Sequence, residues 1–483
     1  MADEFSETSP LEKETSVKGY ASKVFKESSV SAVSAIVSTG NTPRKVFRIL
    51  VFVLFTVGFL YQCVKFLTYI LTYPTVVNIE IDRPAEYLAP AYTFCNYNRI
   101  KRSKFCSKYP NSCSNPNKEL CNTYPDYCRD NTTKVPKEDS IENLSMEDAM
   151  DLGHDSKNLL IRGAWEDPEG PFLRLNAEEQ VPVACYSLGV RVDDPRDARY
   201  KKKDGWEVTD DEFVFDAEEK EIFYPDSKPG ILFALHSPFD AVDPFEEGIF
   251  MKPGYLYRIK LQMMREELLP HPYKTDCLNY TEKWLKAGRT GPRSQEMCRH
   301  RCGQDFFENC FNCTFIEILY PKKIRICEKI ALDDLFEKGC SSGNNYENAV
   351  FLESCFKNCK DDCSRTKFSY RVQESYITRK MMSNSTRISS RTIKVKVYFD
   401  HSEILTIRYQ PQYQEVEAFS YIGGFIGIWL GISLVQVADV FESIFRISRY
   451  IFKKGMSACS MKSEERRESA VINNDKLTLK GQA

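Results

Sequence analysis

The chain has 483 residues with 66 Lys and Arg against 68 Asp and Glu, so it carries no basic footprint and nucleic acid is excluded as a partner. With 42% apolar and 13% aromatic residues it can supply a large core, which excludes disorder as its general state. Eighteen cysteines are too many for an ordinary cytosolic enzyme and point to an oxidising compartment.

The first element in the chain is apolar and runs from Val46 to Tyr73, long enough to cross a hydrocarbon core of about 30 Å. Its stretch from Ile49 to Val64 carries no charge, Lys65 interrupts it, and Phe66 to Tyr73 resumes the apolar character. A signal peptide is rejected on length: such segments hold about 7–15 apolar residues before a small-residue cleavage site, and this run is longer and ends in Phe, Thr, Tyr, Ile and Leu. A second span is expected around Ala418 to Ala438, uncharged throughout. Arg44, Lys45 and Arg48 precede or enter the first span, and Arg446, Arg449, Lys453 and Lys454 follow the second, which places both termini in the cytosol. The expected organisation is a cytosolic N-terminus (1–45), a first transmembrane helix (46–73), an extracellular disulfide-rich domain (74–415), a second transmembrane helix (416–445) and a cytosolic C-terminus (446–483).

Cysteines and sequons agree with that topology. Only Cys63, in the first span, and Cys459, in the tail, lie outside the extracellular segment, and the even remainder suits a disulfide framework. Cys459, beside Lys453 and Lys454, is either a palmitate acceptor or an inert thiol. Glycosylation sequons begin at Asn131, Asn143, Asn279, Asn312 and Asn384, all on the extracellular side.

Within the extracellular domain, Cys106, Cys113, Cys121 and Cys128 recur every seven or eight residues in a small disulfide-held insert whose pairing stays open. Asp210 to Glu221 holds seven acids after Lys201, Lys202 and Lys203, and reads either as a proton or calcium sensor or as a solvated loop. Ser294 to Phe311 places Cys298 and Cys302 on one helical face, and Cys355, Cys359 and Cys363 repeat the four-residue step. Two antiparallel helices stapled by successive bridges are expected; the alternative, a zinc site, is disfavoured by extracellular oxidation and by the lack of paired histidines. Ile393, Val395, Val397 and Phe399 alternate with polar or charged neighbours as a half-buried strand.

The second span reads YIGGFIGIWLGISLVQVADVFE from Tyr421 to Glu442. Its four glycines suit close helix approach or exposed carbonyls. Asp439 and Glu442 share a helical face beyond Ser433 and are either acidic rings that attract cations in an oligomer or ordinary interfacial acids near Arg446.

These features together resemble the superfamily of epithelial sodium channels, degenerins and acid-sensing ion channels. The resemblance rests on PAYTFCN at Pro90 to Asn96, on the Gly-x-Ser tract Gly431, Ile432 and Ser433 followed by acids, and on the cysteine order from Cys277 to Cys363. It covers most of the chain. It implies an α+β membrane protein, a trimer with two transmembrane helices and a large disulfide-rich mixed α/β ectodomain, acting as a sodium-preferring, amiloride-sensitive type of cation channel at the plasma membrane, gated by an extracellular signal. It also implies the pairs Cys95–Cys185, Cys277–Cys363, Cys298–Cys359, Cys302–Cys355, Cys310–Cys340 and Cys313–Cys327. Gly431, Ile432 and Ser433 would form the selectivity filter, with Asp439 and Glu442 as pore acids. Gating would involve Ser420 at the degenerin position, Gly423 and Gly424, and Tyr73 at the top of the first span with Tyr273 as its partner. The chain departs from the family at Ile432, where a small residue is usual, at Tyr273, where tryptophan is usual, and at Ser31 and Ala32, which stand for a His-Gly pair. Sodium ions, the bilayer and like or related subunits are the implied partners; no metal or cofactor and no covalent chemistry are implied. A non-conducting accessory subunit is the alternative within the family. An ATP-gated purinergic-type receptor fits poorly, and an ectoenzyme lacks HExxH, GxSxG or any histidine constellation.

Overall fold

The computed structural model describes residues 17–26, 30–128, 133–137, 144, 146–175, 182–192, 194–204, 207–208, 210–313, 345–377, 391–433 and 435–453. It divides into two compact units, Met1–Pro74 with Pro411–Ala483, and Thr75–Gln410.

In the first unit, helices Val17–Lys26 and Ser31–Ser38 precede the long helix Thr42–Ile70. Pro43 starts the long helix in its first turn, where a missing N–H costs nothing. Val46, Phe47, Ile49 and Leu50 point in four different directions around the helix and are each more than 40% exposed, so it is apolar on every side, the pattern of a segment solvated by lipid rather than water. By length and composition it can cross a membrane. It stops at Ile70, three residues short of the expected end of the span, because Tyr73 adopts φ +50° and breaks the helical path. Helices Glu415–Leu430 and Val435–Lys453 meet that test only when taken together, as one segment bent by 77°.

The long helix packs on Glu415–Leu430 through aromatic side chains. Phe66 meets Phe425 and Tyr421 at 5.4 Å, and Trp429 Nε1 donates to Gln62 Oε1 at 2.6 Å. A Cβ on Gly58 would fall 2.6 Å from the Trp429 ring, so glycine is what lets the indole lie against the helix backbone.

The second unit is built on strands β1 (Thr75–Asp82), β2 (Glu86–Leu88), β3 (Ala91–Asn96), β4 (Cys113–Ser114), β5 (Val135–Pro136), β6 (Leu160–Arg162), β7 (Glu169–Leu175), β8 (Pro182–Leu188), β9 (Tyr200–Asp204), β10 (Glu207–Val208), β11 (Asp211–Phe215), β12 (Ile231–His236), β13 (Ile249–Met251), β14 (Tyr255–Glu267), β15 (Ser364–Tyr376) and β16 (Ile393–Pro411). A six-stranded sheet runs β15-β14-β16-β11-β6 with β1 also on β16, and a five-stranded sheet runs β13-β12-β3-β8-β7. The alternation read from the sequence lies in β16, where Ile393, Val395 and Val397 are buried while the strand continues to Pro411. Parallel to it, β14 buries Tyr257, Ile259, Leu261 and Met263 at alternate positions.

Between these sheets the core is aromatic. Tyr92 meets Phe213 at 4.8 Å and Phe94 meets Phe215 at 5.2 Å, edge-on or tilted, with Phe233 filling the layer. Strands β3, β8 and β12 are buried at every residue, because Cys95, Val183, Cys185 and Leu232 pack on the opposite face against Phe172, Phe245 and Phe250.

Six disulfides join described residues: Cys95–Cys185, Cys106–Cys113, Cys121–Cys128, Cys277–Cys363, Cys298–Cys359 and Cys302–Cys355. The four long closures, over 53 to 90 residues, are each worth about 4 kcal/mol in chain-entropy terms, less when nested. Cys310 and Cys313 are buried, while Cys340, Cys327 and Cys459 lie outside the described residues. The stapled pair is Gln295–Phe311 and Asn345–Asn358, but the second ladder is only partly helical: Cys359 follows the helix end and Cys363 sits in the turn before β15. The sulfurs of Cys298, Cys302 and Cys359 lie within 4.8 Å of one another because two bridges stand one helical turn apart. Bonded sulfurs have no thiolate to offer a metal.

Candidate functional site

The tract 431–433 falls at the break in the second apolar segment. Helix Glu415–Leu430 ends on Gly431, left-handed at φ +63°, whose N–H donates to Gly427 O at 3.1 Å. A residue with a Cβ would be strained there, although a Cβ on Gly431 would meet nothing within 4 Å. Ser433 starts the next helix through a reciprocal cap: Gln436 N donates to Ser433 Oγ at 3.3 Å, and Ser433 N donates to Gln436 Oε1 at 2.8 Å. Two helix ends therefore face each other across Ile432, and the last carbonyls of the first helix have no intrahelical donor.

Asp439 and Glu442 lie on helix Val435–Lys453, three residues apart, and Glu442 pairs with Arg446 one turn on. Ser420 is exposed and donates to Val416 O at 2.8 Å. Gly423, Gly424 and Gly427 would each meet nothing within 4 Å if given a Cβ. Among the described residues nothing crowds these three glycines. Ser31 and Ala32 open the helix Ser31–Ser38. Tyr73 is placed in the first unit and Tyr273 in the second, where Tyr273 N donates to Pro270 O at 3.2 Å.

Of the sequons, Asn279 and Asn312 are exposed. Asn279 also caps helix Tyr280–Lys286, accepting from Glu282 N. Asn131, Asn143 and Asn384 lie outside the described residues.

The acidic run 210–221 is not simply a solvated loop: it holds β11 and a short helical turn, and Asp210, Asp211, Glu212, Glu218 and Glu219 are met by bases from other elements. Asp211 is buried on β11, where Arg199 and Lys201 each approach its Oδ2 at 2.8 Å and Tyr92 Oη donates to it at 2.7 Å. Burial pushes that carboxyl up, but the two cations outweigh it and hold Asp211 below the usual carboxylate range. Glu218 receives Lys101 at 2.8 Å and His154 Nδ1 at 2.6 Å; against the upward push of burial they hold it low as well. Asp210 pairs with Lys396 at 2.8 Å and Glu219 with Arg391 at 3.3 Å.

Two carboxyls that the sequence reading did not single out behave differently. Asp240 and Asp362 each hold an Oδ1 that is buried without a hydrogen-bond partner among the described residues. Burial, reinforced by Glu296, pushes Asp240 up to about 6, and burial with the charge of Asp240 pushes Asp362 up to about 7. Arg365 opposes both shifts without cancelling them. Asp362 sits beside Cys363, at the base of the stapled helices, and Asp240 follows β12. No local signal marks Asp240, since its neighbour Asp362 is 122 positions away (362 − 240). The cap at Ser433 and Gln436, also passed over in the sequence, does carry a local signal in its S-x-x-Q spacing.

Residues 24–443 match the family model for amiloride-sensitive sodium channels, and the chain belongs to that family. Its members are ion channels rather than enzymes. Among curated relatives, acid-sensing ion channel 1A of Danio rerio is 22% identical over 88% of this chain and 87% of its own length. Acid-sensing ion channel 1 of Gallus gallus is 23% identical over 80% and 76% respectively. A cryo-EM structure of a proton-activated chloride channel aligns at a TM-score of 0.26 and 8% identity over 84% of this chain and 98% of that one, too low to bear on the fold.

Proposed function

We propose that the protein is a subunit of a trimeric, sodium-preferring cation channel that crosses the plasma membrane twice with both termini in the cytosol, opened by an extracellular signal acting on the disulfide-rich unit. The observation that carries this reading is the helix break at residues 431–433. Non-helical backbone at membrane depth is tolerated only where it is buried in protein or lines water, since each unpaired carbonyl in hydrocarbon costs several kcal/mol. Carbonyls released at the end of Glu415–Leu430 are suited to replace part of a sodium ion's hydration, and Asp439 and Glu442 would concentrate cations on the cytosolic side. Gly423, Gly427 and Gly431 recur at four-residue steps with open space around them, which supports close packing of this face between copies.

The test is Ser420→Phe, expressed alone with surface delivery confirmed. A bulky side chain at this exposed helix position would hold neighbouring helices apart, giving a standing inward sodium current that disappears when a large organic cation replaces sodium. Surface protein without current sinks the homomeric reading and leaves an accessory subunit, which co-expression with related subunits would reveal.

Protons are the favoured signal, on the strength of Asp240 and Asp362 and of relatives named for acid sensing. Both folded pKa values are raised, so charged carboxylates strain this arrangement above pH of about 7, and the strain is relieved as pH falls through about 7 and then about 6. Current in wild-type protein should change within that window. Asp240→Asn with Asp362→Asn should flatten the response, leaving surface delivery intact. A wild-type current that ignores a step from about pH 8 to about pH 5, or a response that survives the double substitution, rejects protons acting at this pair.

A further inference from the structure

Arg174 is a buried cation with no ion-pair partner among the described residues. It lies on β7 opposite Val183 of β8 and is 2% exposed. Nη1 donates to Leu173 O at 2.8 Å, Nε is buried with no acceptor, and the guanidinium sits 4.7 Å from the centre of the Phe172 ring. Among the described residues no carboxylate forms an ion pair with it. Asp243 feels its charge, but Asp243 Oδ1 accepts from Phe245 N at 2.8 Å as the cap of a short helix. Burial pulls Arg174 down to about 10, which still leaves it charged in extracellular fluid. The unbalanced charge reaches other elements: His236 on β12 and His300 in Gln295–Phe311 are depressed first by burial and then by Arg174. A buried charge is costly unless something of opposite sign meets it.

Beside Arg174 lies a cavity of about 40 Å³, lined also by Phe172, Ser187, Val190, Val192 and Val242. That is room for one small ion or one water. Glu169 borders it, with its own charge answered by Arg196 at 3.2 Å. The hydroxyls at the wall are already committed. His236 Nδ1 donates to Ser237 O at 2.9 Å, so the neutral ring accepts at Nε2 from Thr93 Oγ1, also at 2.9 Å. Thr93 in turn accepts from Ser187 Oγ at 2.8 Å. The side-chain donors that these bonds leave uncommitted are guanidinium N–H groups, in a wall that is mostly apolar apart from Glu169 and the two committed hydroxyls. Such a wall suits a monovalent halide; an oxyanion such as phosphate needs several more donors than this one side chain supplies. Water offers an acceptor but no charge.

We propose that this cavity is a halide site, occupied by chloride in extracellular fluid with Arg174 as its anchor. Its supply of chloride rests on the extracellular placement of this unit proposed above, while the site itself is argued from Arg174 and the cavity alone.

Crystals of the full-length protein grown or soaked in sodium bromide should show anomalous density for bromide against the Arg174 guanidinium. Purified in detergent, the wild type should melt about 2 °C higher in sodium chloride than in sodium gluconate. Arg174→Gln should lose that increment, whereas Lys202→Gln, at a side chain 82% exposed, should keep it. Absence of a bromide peak at Arg174, or a chloride increment that persists in Arg174→Gln, overturns the proposal. If Arg174→Gln fails to fold, the bromide density in wild-type crystals decides alone.

Discussion

Gly431→Arg, introduced into the channel held open by Ser420→Phe, is expected to abolish sodium current while protein still reaches the surface. Gly431 is left-handed at φ +63°, so any side chain there carries strain of about 1–2 kcal/mol. Space is not the obstacle, because a Cβ would meet nothing within 4 Å. Gly431→Ala therefore measures the strain alone, and a partial loss of current is expected. In the proposed trimer, arginine would add three positive charges at the proposed filter, where they would repel sodium. Single-channel and whole-cell recordings of the two variants separate these terms. Equal currents in Gly431→Arg and Gly431→Ala would place the pore elsewhere.

Asp211→Asn should produce the largest loss of stability among single substitutions in the disulfide-rich unit. The Asp211 side chain is 8% exposed and that of Lys201 4%, so removing the acid takes from a buried Lys201 the carboxylate that contacts it, with Arg199 beside it. Breaking a buried pair from one side costs about 3–5 kcal/mol. In a unit of this size that corresponds to a fall in Tm of roughly 4–7 °C, readable in detergent, with reduced surface delivery. Lys201→Met combined with Asp211→Asn should recover part of the loss, since the buried charge is gone. A change in Tm below about 1 °C would mean that water reaches the site and screens it. Asp211 is held below its unfolded value, so its contribution is complete above pH of about 4 and is lost only as pH falls through the depressed value. A pH response between about 8 and about 5 therefore cannot arise from Asp211, whereas Asp240 and Asp362, shifted the opposite way, titrate inside that range.

These two acidic sites show where reading along the chain stops. Periodicity and composition marked what depends on neighbours in sequence: the apolar run that becomes Thr42–Ile70, the alternation that becomes part of β16, and the four-residue cysteine step of Gln295–Phe311. Each follows from the 2.0 or 3.6 residue repeat of the backbone and from the length needed to cross lipid. Boundaries were less legible, because Tyr73 and Asn358 end their helices through local backbone conformation and the pull of the following turn.

The acidic run 210–221 had two readings in sequence, and the fold replaces the solvated loop with a strand and a helical turn whose acids are largely paired. Whether a carboxylate is strengthened or strained depends on the groups around it in space, and Arg199, Lys201, Lys101 and His154 reach this run from different elements. Asp240 and Asp362 acquire their raised values because β12 and the base of the stapled helices bury them near one another. The same holds for Arg174, unremarkable as one of 66 basic residues, which becomes a candidate anion site only when β7 and β8 enclose it. Backbone repeats are carried by local sterics and can be read residue by residue; charge environments are sums over contacts between distant segments, and only tertiary packing fixes their sign.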